Sequence, residues 1–141
     1  MSAADEYLRE LDVLISRVVK YFKVVNPKAF CGVSLPQYLT LDAVSRAEEC
    51  TMSKLSKSLG VSMSTITGML DRLVNMGLVD RDRSKGDRRV VRASLTSRGR
   101  RVLNKINHYR TVSNLRVMNA LGEDDRNDFL RIMKKLSTLI G

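Results

Sequence analysis

The sequence predicts a mainly α-helical fold carrying one small β-hairpin, and three observations predict it. Apolar residues recur at spacings of three and four through most of the 141 residues, the pattern of amphipathic helices. Between Leu78 and Leu95 the period shortens to the alternation of a strand pair. Capping and turn residues, Ser34, Gly60, Ser62, Gly77 and Thr96, stand where those patterns start or stop.

Leu8, Leu11, Ile15, Val18 and Phe22 form the stripe of a first helix, widened by Leu14 and Val19 and ended before Asn26 and Pro27. Ser34, Pro36 and Gln37 have capping-box spacing with proline in the first turn. A second helix should therefore run to about Ala47 and bury Tyr38, Leu39, Leu41 and Val44 in part. A third, from about Thr51 to Ser58, buries Met52 and Leu55, and Gly60 then supplies the positive φ of a tight turn. Ser62 caps a fourth helix whose Ile66, Leu70 and Leu73 face the core, helped by Met69 or Val74, and Gly77 ends it. Two short helices about a glycine turn are the arrangement that lets the second enter a major groove.

A hairpin comes next. Leu78 to Arg83 makes one strand, residues 84–87 the turn, and Arg89 to Leu95 the other, with Val91, Ala93 and Leu95 on one side. Thr96 caps a long helix carrying Val102, Leu103, Ile106, Tyr109, Val112, Leu115, Met118 and Leu121. Gly122 interrupts it, and Glu123, Asp124 and Asp125 favour the start of a last helix. Phe129, Leu130, Met133, Leu136, Leu139 and Ile140 form its stripe. The reading is one domain over residues 1–141, a winged helix-turn-helix over 34–95, and terminal segments 4–25 and 97–140 that form a dimerisation region. A homodimer is favoured because a two-fold protein can read both halves of a DNA palindrome.

The formal net charge of +10 is informative through its placement. Residues 72–101 hold ten Lys or Arg against three acids, a net of +7, while residues 1–71 hold eight of each and cancel. Residues 102–141 add seven against four, or +3. The positive charge thus concentrates on the fourth helix, the hairpin and the start of the fifth, as a surface facing duplex phosphates requires.

Other classes find little support. Apolar residues are 43% of the chain, so it folds, but no run reaches the 18 or more needed to span a bilayer. The first twelve residues are acidic where a secretory signal is basic and then apolar, so the expectation is a cytoplasmic protein without membrane contact. Cys31 and Cys50 form no CxxC pair and His108 is the one histidine, which predicts neither a disulfide framework nor a metal site. Whether either cysteine senses oxidants stays open, since sequence does not reveal a thiol pKa. No phosphate-cradling glycine loop or paired carboxylates point to an enzyme, and no cofactor is required. A winged helix used only for protein contact is the remaining alternative.

The run from Leu55 to Leu73, Gly77-Leu78-Val79 with Arg81, Asp87-Arg88-Arg89, and Leu95-Thr96 with Gly99 together resemble the multiple antibiotic resistance regulator (MarR) family. That resemblance implies a homodimer whose terminal helices interlock, binding a palindromic operator in double-stranded DNA as a sequence-specific transcription regulator. Family habit implies a repressor, and a pocket between the dimerisation and DNA-binding regions implies release by a small aromatic or other organic effector. The helix from Ser62 corresponds to the recognition helix, with Ser62, Ser64, Thr65, Thr67 and Arg72 as DNA-binding candidates. Arg83, Lys85, Arg88 and Arg89 correspond to DNA-binding residues of the wing, which Asp87 would organise. Tyr21, Phe22, Phe30 and Tyr38 could line the effector pocket, although core packing accounts for most of them. Gly68 stands where many relatives carry arginine or another polar residue, which shifts base contact to its neighbours. Cys31 lies after the first helix, away from the sensing position of the peroxide-responsive branch. The operator, the regulated genes and the effector are not legible.

Overall fold

The computed structural model describes residues 2–24, 30–47, 50–83, 86 and 91–140, with backbone alone at 22–24 and 83. In chain order these residues form α1 (Ala3–Val24), α2 (Leu35–Arg46), α3 (Met52–Leu59), α4 (Met63–Asn75), β1 (Val79–Arg83), β2 (Val91–Leu95), α5 (Ser97–Leu121) and α6 (Glu123–Ile140). This is the expected mainly α fold with a small hairpin. The chain forms two compact units, residues 1–106 and 107–141.

In the first unit, local chemistry sets the helix ends. At α2 the Ser34 hydroxyl accepts from the Gln37 amide and the Gln37 side chain accepts from the Ser34 amide at 2.8 Å, the reciprocal capping box its spacing predicts. Thr51 and Ser62 cap α3 and α4 in the same sense. Gly60 closes α3 at φ +63° and Gly77 follows α4 at φ +70°, backbone that side chains with a Cβ disfavour.

The helices α2, α3 and α4 pack on one another and on the hairpin. Leu41, Leu55, Ile66, Leu70, Leu73, Leu78 and Ile106 are fully buried at the centre. At about 1.5–3 kcal/mol for each large apolar side chain removed from water, the first turns of α5 contribute substantially to this core through Leu103 and Ile106. Of Tyr38, Leu39, Leu41 and Val44, Leu39 is the least buried. It is 44% exposed, because it projects from the opposite side of α2 from Tyr38, Leu41 and Val44. The buried place goes to Thr40, whose hydroxyl donates to the Pro36 carbonyl at 2.9 Å and lies 3.3 Å from the Met69 sulfur. Of Met69 and Val74, it is Met69 that packs on the core.

The strands pair antiparallel, with Val79 opposite Leu95, Arg81 opposite Ala93 and Arg83 opposite Val91. Beyond them, Thr51 bridges Arg92 and the Cys50 carbonyl accepts from the Ala93 amide at 2.9 Å, so the start of α3 borders β2. A single bridge has no sequence period, and sequence reading misses it.

No described residue of α1 is buried: Leu8, Leu11, Leu14, Ile15, Val18 and Val19 are all solvent-exposed. The second unit comprises the end of α5 and α6, joined at Gly122 with φ +75°. Nothing on α6 is buried, and Phe129, Leu130, Ile132, Met133, Leu136, Leu139 and Ile140 are exposed. No described helix is long and apolar enough to cross a membrane.

Candidate nucleic-acid interface

One side of α4 is spent on the core through Ile66, Leu70 and Leu73. Helical geometry then directs Ser64, Gly68 and Arg72 to the other side, and all three are exposed, as is Thr65. The N-terminal turn is a cluster of hydroxyls. Ser62 Oγ accepts from the Thr65 amide at 3.2 Å and lies 3.0 Å from Ser64 Oγ and 2.8 Å from Thr65 Oγ1. Ser62 is thus engaged as the helix cap, and the Ser64 and Thr65 hydroxyls, on exposed residues, share hydrogen bonds with it. Thr67 donates to the Met63 carbonyl at 2.8 Å, which ties up its proton within the helix. Around Gly68 a Cβ would meet no atom within 4 Å, so the backbone is bare to solvent there.

The hairpin is fixed to this helix through Arg81. Val79 and Arg81 share the core-facing side of β1, and the partner of Arg81 is Ala93, which is small and buried. From that position the Arg81 guanidinium forms an ion pair with Asp71 on α4, a charge-assisted bond between that helix and the first strand of the hairpin. Sequence reading had both residues in its motif without joining them, because their contact depends on strand parity. On the other side of the hairpin, Asp82 and Arg92 stand opposite one another, both exposed. Of the wing candidates, Lys85, Asp87, Arg88 and Arg89 lie outside the described residues, and for Arg83 only the backbone is described.

Thr96 joins the hairpin, the end of α4 and the start of α5. Its hydroxyl donates to the Gly77 carbonyl at 2.8 Å and accepts from the Gly99 amide at 2.9 Å. Its amide donates to the Leu78 carbonyl at 3.1 Å. At Gly99 a Cβ would stand 2.0 Å from the Leu78 oxygen, so only glycine lets α5 approach so closely.

The effector candidates are brought together only in part. Phe30 and Tyr38 meet edge to face with centroids 6.0 Å apart, and Tyr38 is 2% exposed within the core. Tyr21 is 39% exposed on α1, and the Phe22 side chain lies outside the description. Among the described residues no cluster of three or more His, Cys, Asp or Glu could hold a metal.

Cys31 is partly exposed with φ +52°, whereas Cys50 is buried. Burial pushes the Cys50 thiol above its ordinary pKa, against a smaller opposing effect of Lys54. Iodoacetamide at neutral pH should therefore label Cys31 first and leave Cys50 unmodified until denaturant is added. Peptide mass spectrometry over a time course checks this, and equal labelling rates in the native protein would contradict it.

Residues 33–91 match the model of the MarR family. Over these residues the winged helix-turn-helix is similar to that family. The matched region runs from the approach to α2 through the start of β2 and contains most of the buried core. The organic hydroperoxide resistance transcriptional regulator of Bacillus subtilis is 38% identical over 68 residues, 48% of this chain and 46% of that protein. The chain thus aligns with about half the length of that curated relative. Among solved structures, RV1404 of Mycobacterium tuberculosis superposes with a TM-score of 0.80 at 25% identity, covering 100% of this chain and 97% of that one. Streptococcus pneumoniae FabT, solved in complex with DNA, has a TM-score of 0.77 at 24% identity, over 97% and 94% of the two chains. The likeness to these solved structures extends over both compact units of the chain.

Proposed function

We propose that this chain is a MarR-family, sequence-specific transcription regulator that binds a palindromic operator in double-stranded DNA as a homodimer. The observation that carries this reading is the solvent side of α4: Ser64, Thr65, bare Gly68 and Arg72 stand opposite the buried stripe. Short hydroxyls and an unobstructed backbone suit a helix lying against base edges, with Arg72 for a guanine or a phosphate. The wing, anchored to α4 through Arg81 and Asp71, then holds Arg83, Lys85, Arg88 and Arg89 for an adjacent minor groove, with Asp87 organising them. The DNA complex of FabT supports the same use of the fold.

The unpartnered apolar side chains of α1 and α6 support the homodimer, since soluble proteins rarely leave such faces uncovered. Repression, relieved by a small organic effector, is the regulatory mode that family habit supports.

Sequencing the genomic DNA retained by the purified protein tests the reading directly, and a recurrent palindrome is the expected result. On that palindrome, Thr65→Ala or Arg72→Ala should weaken the specific site more than random duplex, by about 1–3 kcal/mol for a well-formed base contact. An equal loss on both DNAs would reassign the residue to the phosphate backbone. Salt-insensitive binding to a protein, with none to DNA, would favour a protein-contact module instead.

A further inference from the structure

The helix α5 carries Arg98, Arg100, Arg101, Lys105, Arg110 and Arg116 and no acidic residue. Its first turns belong to the winged-helix unit, where Gly99, Leu103 and Ile106 face the core. At the helical step of about 100° per residue, Arg98, Arg101 and Lys105 fall within roughly 60° of one another on a single exposed flank. Arg100 falls on the other flank. All four are exposed, and none makes a hydrogen bond or ion pair with a described residue.

Arg98 locates the three-residue flank. Its Nη1 lies 3.8 Å from where a Cβ on Gly77 would stand, at the C-terminal end of α4. The flank therefore begins where the reading helix ends and where Leu95 leaves the hairpin. A row of unpaired cations beside a reading helix has a ready use, because each phosphate it neutralises releases a counterion.

We infer that Arg98, Arg101 and Lys105 form a third DNA contact, a sequence-independent track for the phosphate backbone that continues the interface beyond α4 and the wing. The inference rests on the proposal that the chain binds DNA. Guanidinium and ammonium groups on one face of a regular helix bind along a strand without reading bases, so the track adds affinity and salt dependence and leaves discrimination to α4.

The test is a salt titration of duplex binding by the full chain, with the recovered palindrome and a random duplex of equal length. Arg98→Ala, Arg101→Ala and Lys105→Ala remove exposed side chains and install the best helix former, so the fold survives. Together they should reduce the slope of log affinity against log salt by about 2.7 per lobe, about 0.9 for each phosphate contact. The ratio of specific to random binding should stay the same. Arg100→Ala removes the same charge from the other flank and should leave the slope near that of the unaltered chain. An unchanged slope in the triple variant, or an equal drop per charge for Arg100→Ala, overturns the track while leaving the DNA-binding reading intact. Failure of the unaltered chain to bind any duplex overturns both.

Discussion

Gly99→Ala is expected to destabilise the winged-helix unit by about 3 kcal/mol, at the upper end of overpacking costs, whereas Gly68→Ala should stabilise it by about 1 kcal/mol. Both glycines lie inside helices, and on helix propensity alone the two substitutions would have the same sign. Their surroundings separate them. A Cβ at Gly68 meets open space, but one at Gly99 would stand 2.0 Å from the Leu78 oxygen and 2.9 Å from its carbonyl carbon. Those are backbone atoms, with no flexible side chain to swing aside. The Leu78 carbonyl is also held by the Thr96 amide, so relief must come from pulling α5 away, which loosens Leu103 and Ile106 in the core. Urea unfolding followed by circular dichroism measures both. A neutral Gly99→Ala would mean that the contact relaxes at no cost.

Ile15→Asp or Leu136→Asp should convert a dimer into a folded species of 15.9 kDa. Burying a carboxylate without a partner costs several kcal/mol, and each 1.4 kcal/mol is tenfold in association, so the dimer should weaken by orders of magnitude. The structure sharpens what happens to the fold. Ile15 is 51% exposed and Leu136 45% exposed, so neither substitution puts charge into a core within the chain. Leu70→Asp, at a position with 0% exposure, should instead unfold the winged helix. Sedimentation and circular dichroism on the same samples distinguish these outcomes. A monomer by sedimentation for the unaltered chain at micromolar concentration would sink the dimer proposal.

The parts of the fold legible in the sequence are those decided by neighbours along the chain. Ser34 with Gln37, Ser62 with Thr65, and the glycines at 60 and 77 act within a few residues, and their hydrogen bonds are set by local backbone geometry. The periodic stripe of α4 was readable because Ile66, Leu70 and Leu73 all face one way. Apolarity alone does not assign a face: Leu39 lies across α2 from the residues that pack, and its share of the burial needed coordinates. The ion pair of Arg81 with Asp71, the bridge of Thr51 to Arg92, and the close approach at Gly99 all join segments whose meeting depends on the assembled fold. At the candidate interface, the residues of α4 were legible as a set. Their hydrogen bonding, with Ser64 and Thr65 gathered on the Ser62 hydroxyl and Thr67 bonded to the Met63 carbonyl, needed coordinates.

Thr96 makes the boundary between α4 and α5 a joint without play. One side chain bonds both flanking backbones, and the residue three positions on leaves no clearance against Leu78. A mechanical linkage of that kind transmits displacement instead of absorbing it. Any shift imposed on the start of α5 must appear at the end of α4, where Arg72 sits one turn before the chain reverses at Gly77. In the DNA-bound arrangement proposed above, α4 would therefore be steered from its C-terminal end by a threonine and a glycine that need never touch DNA.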